Sequence, residues 1–114
     1  MSDPTVLMTA DLHGLAGRAP ELRALLTELA DGTRSEPGCE SFRFFDAEEP
    51  GDVFLLSGWA DEQALRDHYQ TPHYRRYRAA VGELLARPSE VTVHRVSQDV
   101  HALDPDPPDP GMLG

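Results

Sequence analysis

Residues 39–59 read CESFRFFDAEEPGDVFLLSGW, and this stretch decides the fold. Its centre, residues 48–52, combines acids with proline and glycine, which is typical of a turn. The flanking segments 39–46 and 53–59 are rich in aromatic and aliphatic residues, as strands are. The stretch therefore predicts two antiparallel strands joined as a hairpin.

Both faces of this hairpin are apolar. Phe42 and Phe44 fall on one side and Phe45 on the other, while residues 53–56 form a continuous apolar run. An antiparallel sheet with one face in water would alternate apolar and polar residues more regularly. Helices can cover one face, and the chain has no further element for the other, so a second copy of the chain is the simplest way to bury it. We therefore predict a homodimer that packs sheet against sheet through the faces carrying Phe42, Phe44 or Phe45.

The segments on either side of the hairpin complete the fold. Residues 5–12 alternate at period 2 and predict a strand, and leucines at helical spacing after Pro20 predict an amphipathic helix. Asp61 can cap a second helical region at its start, and Thr71 and Pro72 divide that region in two, as a cap and a first-turn proline. The predicted order is βαββαβ, over residues 5–12, 20–34, 39–46, 53–59, 62–70, 72–86 and 90–98.

This order is that of an α+β, ferredoxin-like domain with an antiparallel sheet, and we assign the domain to residues 1–98. The remaining residues, 99–114, are rich in aspartate and proline, a composition that forms neither helix nor sheet. We expect this tail to be disordered or to form an extended strap.

Composition narrows the function classes. A chain of 114 residues has room for one core. Its formal charge of -10 repels phosphate backbones and anionic lipids, so we expect no nucleic-acid partner and no membrane partner. The sequence has no membrane-length apolar run, no signal-peptide features at its start, and only one cysteine, Cys39. These features predict a cytoplasmic protein without an intrachain disulfide.

Three motifs lie between Glu36 and Tyr77. They are Glu36-Pro37-Gly38-Cys39 after the first helix, Trp59 at the end of the third strand, and His68-Tyr69-Gln70-Thr71-Pro72-His73 on the helical segments. In this order and spacing they resemble the antibiotic biosynthesis monooxygenase family, in particular its shorter, quinol-oxidising branch. The resemblance implies a dimeric ferredoxin-like protein with a pocket between helices and sheet in each subunit.

Members of that family include cofactor-free oxygenases of anthrones and hydroquinones, haem-degrading enzymes and a sugar isomerase, so the fold leaves the chemistry open. The chain departs from the family pattern at Ser57, where a carboxylate is common, and at Leu65, where anthrone oxygenases can place a tyrosine. It contains no asparagine, which the haem-degrading branch uses in its first strand. The resemblance therefore favours an oxygenase over a haem-degrading enzyme.

Cofactor-free oxygenation needs a base with a pKa near neutrality in a dry cavity, together with an electron-rich aromatic substrate. His68 is the candidate base, because it shares a helix face with Ala64 and Leu65 and can point towards the sheet. Trp59 is the second catalytic candidate, as a flat wall for an aromatic ring. The substrate-binding candidates are Tyr69, His73, Tyr74, Tyr77, Thr9 and Asp11.

Each candidate also has a purely structural interpretation. His68 can bridge two elements, Trp59 can fill the core, and tyrosines at helical spacing are more often core residues than ligands of a substrate. We expect His73, in the first turn of its helix, to be exposed. Asp11 could orient a histidine from the first strand.

The sequence predicts no metal and no cofactor, with molecular oxygen as co-substrate. His68 and His73 are five residues apart across a proline break, and we see no acid placed to complete a metal triad with them. No glycine-rich phosphate loop is present in the sequence, so a tightly bound flavin or nicotinamide is not expected.

The leading function is a cofactor-independent monooxygenase acting on an anthrone, hydroquinone or polyketide-type intermediate of secondary metabolism. The alternative is a polyketide cyclase or isomerase on the same scaffold, in which His68 takes a proton and no oxygen is consumed. A third hypothesis is a non-catalytic dimer that binds a small ligand and supports a partner enzyme. Oxygen uptake with an aromatic substrate separates the first hypothesis from the other two.

Overall fold

The computed structural model describes residues 6–96 of the chain. Residues 97–98 of the predicted last strand and the predicted tail 99–114 lie outside this range. The βαββαβ order is confirmed, with the second helical region divided in two. The elements are β1 (Val6–Gly14), α1 (Ala19–Thr33), β2 (Cys39–Asp46), β3 (Asp52–Trp59), α2 (Glu62–Tyr69), α3 (Pro72–Val81), a 3-10 turn (Gly82–Leu84) and β4 (Leu85–Arg95).

The four strands form one antiparallel sheet in the order β2-β3-β1-β4, the ferredoxin-like arrangement. Successive side chains of a strand point to opposite faces, so every second residue faces the helices. Burial of these residues against the helices supplies the main apolar stabilisation of the fold. The resulting core includes Val6, Met8, Leu12, Leu22, Leu26, Leu29, Val53 and Leu55.

The predicted capping residues begin α2 and form the break between α2 and α3. Asp61 caps α2 by accepting a hydrogen bond from the Ala64 amide at 2.8 Å. Thr71 Oγ1 accepts from the Tyr74 amide at 3.2 Å and donates to the His68 carbonyl at 2.7 Å. The break therefore holds the end of α2 against the start of α3. No helix within residues 6–96 is long and apolar enough to cross a membrane.

The last helix and strand differ from the prediction. α3 ends at Val81 instead of residue 86, and β4 begins at Leu85 instead of residue 90. The Leu15 amide donates to the Leu84 carbonyl at 2.9 Å, and Leu85 pairs with Gly14 across the sheet. Pairing with β1 therefore places the segment that begins at Leu85 in the sheet, although its leucine spacing alone favours a helix. Pro88 fits the new assignment, because β4 is an edge strand, where the missing amide donor is tolerated.

Within residues 6–96 the face of the sheet opposite the helices is open, and its composition selects among the phenylalanines predicted for the interface. Phe42 is buried against the helices with an exposed fraction of 1%, and Phe44, two residues on, lies on the same face. Phe42 is therefore not available to a second subunit, and Phe44 is partly buried against the core. The open face carries instead Phe45, which is 47% exposed and lies opposite Phe54 on β3. Leu7 and Leu56, at alternate positions of β1 and β3, lie on the same open face.

Candidate functional site

A cavity of about 610 Å³ lies between the helices and the sheet. Its apolar wall comes from the strands and from the helices that pack on them, including Met8, Ala10, Phe42, Leu55 and Val81. Its polar groups are His68, Tyr69, Tyr74, Tyr77, Arg78, Arg87 and Ser89. A volume and a lining of this kind suit a small organic ligand that is oriented by few polar contacts.

His68 forms part of the cavity wall and is held by an acid, Glu36, that lies outside the predicted site residues. Its Nδ1 lies 2.7 Å from Glu36 Oε2, and the side chain is 1% exposed. The same carboxylate oxygen lies 2.6 Å from His73 Nε2. Glu36 thus joins the end of α2 to the start of α3, and it fixes the orientation of the His68 ring.

Two glycines allow Glu36 and the histidines to meet. Glu36 lies in the loop after α1, and a Cβ at Gly38 in that loop would overlap the Ala64 side chain of α2. A Cβ at Gly32 would lie 2.7 Å from His73 Cγ, closer than real Cβ contacts allow. The motif that begins at Glu36 therefore needs its glycine for a packing reason, namely close contact with the helix that carries His68.

The environment keeps His68 in its basic form. Burial lowers the pKa of His68, while the hydrogen bond to Glu36 opposes that shift. The carboxylate accepts a hydrogen bond from Nδ1–H, so Nε2 keeps its lone pair. No other residue between 6 and 96 hydrogen-bonds to this ring, which leaves Nε2 as the nitrogen for a ligand in the cavity. His68 is thus suited to accept a proton.

Trp59 supports His68 from behind and does not line the cavity. It is 0% exposed, and the centres of the two rings are 4.7 Å apart. The indole Nε1–H donates to Ser57 Oγ at 2.9 Å. Ser57, which stands where the family often has a carboxylate, therefore satisfies the indole and helps to hold the ring that packs on His68.

Three tyrosines continue the cavity wall along α2 and α3. The Tyr74 ring meets the His68 ring edge to face at 5.1 Å, and it lies 5.0 Å from the Tyr69 ring and 6.0 Å from the Tyr77 ring. Burial raises the pKa of Tyr69 and raises that of Tyr77 further. Both hydroxyls therefore stay protonated at neutral pH and can donate hydrogen bonds to an oxygen of a ligand.

The remaining predicted site residues are distributed differently from the expectation. Thr9 and Asp11 alternate with the buried Met8 and Ala10, so they lie on the open face and do not meet His68. Glu36, and not the predicted Asp11, is the carboxylate that orients the histidine. His73 was expected to be exposed, but its side chain is only 17% exposed and contacts Glu36.

Glu36, His68 and His73 also correct the argument about metal ligands. One potential ligand atom from each residue lies within 4.8 Å of the other two, so an acid is placed to complete a triad with the histidines. Two imidazoles and a carboxylate suit a divalent transition metal. The same three groups already satisfy one another by hydrogen bonds. The sequence contains a signal for Glu36, because this residue opens one of the three motifs that resemble the family, but the motif alone does not show that its carboxylate contacts the histidines.

A second titratable cluster lies on the open face. His13 Nδ1 is 3.0 Å from Asp52 Oδ2, and His13 Nε2 is 2.9 Å from Glu90 Oε1. The hydrogen bond to Glu90 and then that to Asp52 raise the pKa of His13, and Arg87 opposes them. This cluster ties β1, β3 and β4 together and is separate from the cavity histidine.

Comparisons with known proteins agree with this architecture. Residues 5–80 match the sequence model of the antibiotic biosynthesis monooxygenase family. The Mycobacterium tuberculosis protein named "Putative monooxygenase Rv0793" is 44% identical over 72 residues, which are 63% of this chain and 71% of that protein. The structure of Rv0793 matches with a TM-score of 0.74 at 35% identity, over 90% of this chain and 98% of that chain.

Two further solved structures share the fold. PA3566 from Pseudomonas aeruginosa has a TM-score of 0.74 at 25% identity, over 83% of this chain and 95% of that chain. A Deinococcus radiodurans protein described as a "putative antibiotic biosynthesis monooxygenase" has a TM-score of 0.78 at 24% identity, over 87% of this chain and 99% of that chain.

Proposed function

The chain belongs to the antibiotic biosynthesis monooxygenase family, and from this membership we propose that it is a cofactor-independent monooxygenase of aromatic substrates. The substrate class is an anthrone, hydroquinone or polyketide-type intermediate of secondary metabolism, with molecular oxygen as co-substrate. The Glu36–His68 pair carries the proposal, because it provides an oriented, neutral imidazole at the wall of a largely apolar cavity.

His68 Nε2 acts as the general base in this reaction. It takes a proton from the acidic C–H or O–H of the substrate, and the resulting carbanion or phenolate gives electrons to oxygen. With an anthrone, one oxygen atom becomes the new carbonyl, while the other leaves as water with the two hydrogens lost from the methylene. The Glu36 carboxylate stabilises the imidazolium that forms on His68, since it accepts the Nδ1–H bond at 2.7 Å.

The tyrosines stabilise the charge that develops on the substrate. Hydroxyls that stay protonated can donate to a phenolate or enolate oxygen, and such donors act more strongly in a cavity with little water. Tyr74 is the best placed for a substrate oxygen near the base, because its ring lies directly against His68. Tyr69 and Tyr77, on either side of it, fit the same role.

We also propose that the protein works as a homodimer through the open face of the sheet. Phe45, Phe54, Leu7 and Leu56 form an apolar area there that the helices of the same subunit do not cover. A self-complementary sheet face would bury these side chains around a two-fold axis. The cluster of His13 with its two carboxylates would then border the interface.

Oxygen consumption with anthrone tests the proposed reaction. We expect one oxygen molecule consumed per anthrone, and anthraquinone that carries one labelled atom when the gas is ¹⁸O₂. The variant His68→Ala should lower turnover by roughly 10²- to 10⁴-fold, the usual effect of a lost acid-base group. His94→Ala is the matched control, because His94 is exposed on β4 and pairs with Leu7 outside the cavity.

The same experiment separates the alternatives. Conversion of a polyketide-type substrate without oxygen uptake would favour the cyclase or isomerase, and binding without turnover would favour the accessory dimer. Turnover that is lost on chelation and restored by a divalent metal would refute cofactor independence and would assign Glu36, His68 and His73 to a metal. Full turnover by His68→Ala at neutral pH would refute the role of His68 as base.

A further inference from the structure

The charge of the cavity wall is opposite to that of the whole chain. The chain has twenty acidic and ten basic residues, for a formal charge of -10. Among the described residues, however, the cavity lining includes no aspartate or glutamate and includes two arginines, Arg78 and Arg87. A cavity lined by one sign of charge focuses its field on the ligand and attracts the opposite charge. The lining therefore favours a ligand with a negative group.

Arg78 is the cavity arginine whose guanidinium is available to such a group. Within residues 6–96, most arginines contact a carboxylate, a carbonyl or another polar side chain, and the two without a hydrogen bond or ion pair are Arg43 and Arg78. Arg87 is the other cavity arginine, and its Nη2 lies 3.3 Å from both ring nitrogens of His13. An unpaired guanidinium can bind a carboxylate through two parallel hydrogen bonds.

Arg78 lies about one helical turn beyond Tyr74, the residue whose ring contacts His68. Tyr74 lies against His68, and Arg78 follows Tyr74 by four residues on α3, about 6 Å along the helix axis. Tyr77, directly before Arg78, lines the cavity between the two ends. A ligand with two or three fused rings can therefore contact His68 at one end and the guanidinium at the other.

We propose that the substrate is an aromatic acid, with its carboxylate paired to Arg78 and its reacting ring placed against His68 and Tyr74. Arg78 is then the residue that determines specificity for charged over neutral aromatic compounds. The part of this inference that concerns the reacting ring rests on the proposed function. The part that concerns the carboxylate rests on the charge and geometry of the cavity alone.

Binding in the absence of turnover tests the inference. We would measure the affinity of 2-naphthoate and of its neutral isostere 2-naphthamide by calorimetry with the full chain. Arg78 lines the cavity but is exposed, so water screens its charge, and the unmodified protein should prefer the acid by about 3- to 10-fold. Arg78→Gln should abolish the preference by weakening binding of the acid only, and Arg78→Lys should retain part of it. Arg43→Gln is the matched control, because Arg43 is exposed on β2, also lacks an ion pair within the described chain, and does not line the cavity.

The outcomes are distinct from those of the oxygen assay. No preference for the acid in the unmodified protein, including failure to bind either compound, would overturn the inference. An equal loss of preference in Arg43→Gln would also overturn it, since the effect would then reflect net charge. A preference that depends on Arg78, together with no oxygen uptake on aromatic acids, would support the inference while refuting the proposed oxygenase.

Discussion

Replacing Glu36 by glutamine tests how the carboxylate controls the cavity histidine. The substitution keeps the shape of the side chain and removes its charge. Glu36 Oε2 contacts His68 Nδ1 at 2.7 Å and His73 Nε2 at 2.6 Å, so both contacts lose their charge assistance together. Hydrogen bonds to charged groups contribute about 1.5–3 kcal/mol. The imidazolium formed on His68 during proton transfer loses that stabilisation, which corresponds to a loss of roughly 10- to 100-fold in kcat.

The pH dependence of the rate should change in a defined direction. Burial lowers the pKa of His68, and Glu36 is the group that opposes this shift. Without the carboxylate the pKa of His68 should fall further, so the acidic limb of the kcat/KM profile should move to lower pH in Glu36→Gln. Histidine titration by NMR gives the same pKa without any substrate, and oxygen uptake between pH 5 and 9 gives the kinetic profile.

Glu90→Gln is the matched control for this experiment. Glu90 also hydrogen-bonds a histidine, at 2.9 Å, but that histidine is His13 on the open face. We expect Glu90→Gln to leave kcat and the pKa of His68 unchanged. The reasoning would be refuted if Glu36→Gln kept the original rate and the original pKa of His68, or if both glutamine variants changed the rate equally.

Three further predictions concern the loop, the open face and pH. Gly38→Ala should destabilise the fold by about 1–3 kcal/mol, because its Cβ would overlap Ala64. Gly82→Ala is a control for stability alone: its Cβ meets nothing within 4 Å, so its urea midpoint should stay nearly unchanged, and equal midpoints for the two variants would contradict the packing argument. Phe45→Asp should shift the proposed dimer towards monomer in sedimentation, because it removes about 2 kcal/mol of apolar burial and adds a charge at the interface. If the unmodified protein were monomeric at micromolar concentration, the open face would not be an interface. Because the pKa of His13 is raised in the folded state, its contribution to stability is complete below the unfolded pKa of about 6.5 and is lost as pH rises through the higher folded pKa. The melting temperatures of the unmodified protein and of His13→Gln should therefore converge with rising pH, and a constant difference would exclude this linkage.

The order of elements could be predicted because its signals are local. The turn at residues 48–52, the caps at Asp61 and Thr71 and the alternation in β1 each act through neighbours within a few residues, so the sequence carries them directly. The burial of His68 was predictable for the same reason, since helical spacing placed it on the face of Leu65. Where a distant partner decided the outcome, prediction failed, as at Leu85, which pairs with Gly14 across the sheet.

The sequence by itself determined the fold class, the apolar character of both hairpin faces and the presence of a histidine and tyrosines on the inner helix faces. Only the tertiary structure decided which groups contact one another. Glu36 meets His68 from 32 positions away and His73 from 37, and Asp11, which lies on the wrong face of β1, does not meet them. Tertiary packing likewise places Trp59 behind the cavity wall and Arg78 in the cavity lining. The physical reason is that a hydrogen bond or a cavity wall depends on distance and direction in space, and sequence periodicity reports only which face of its own element a residue occupies.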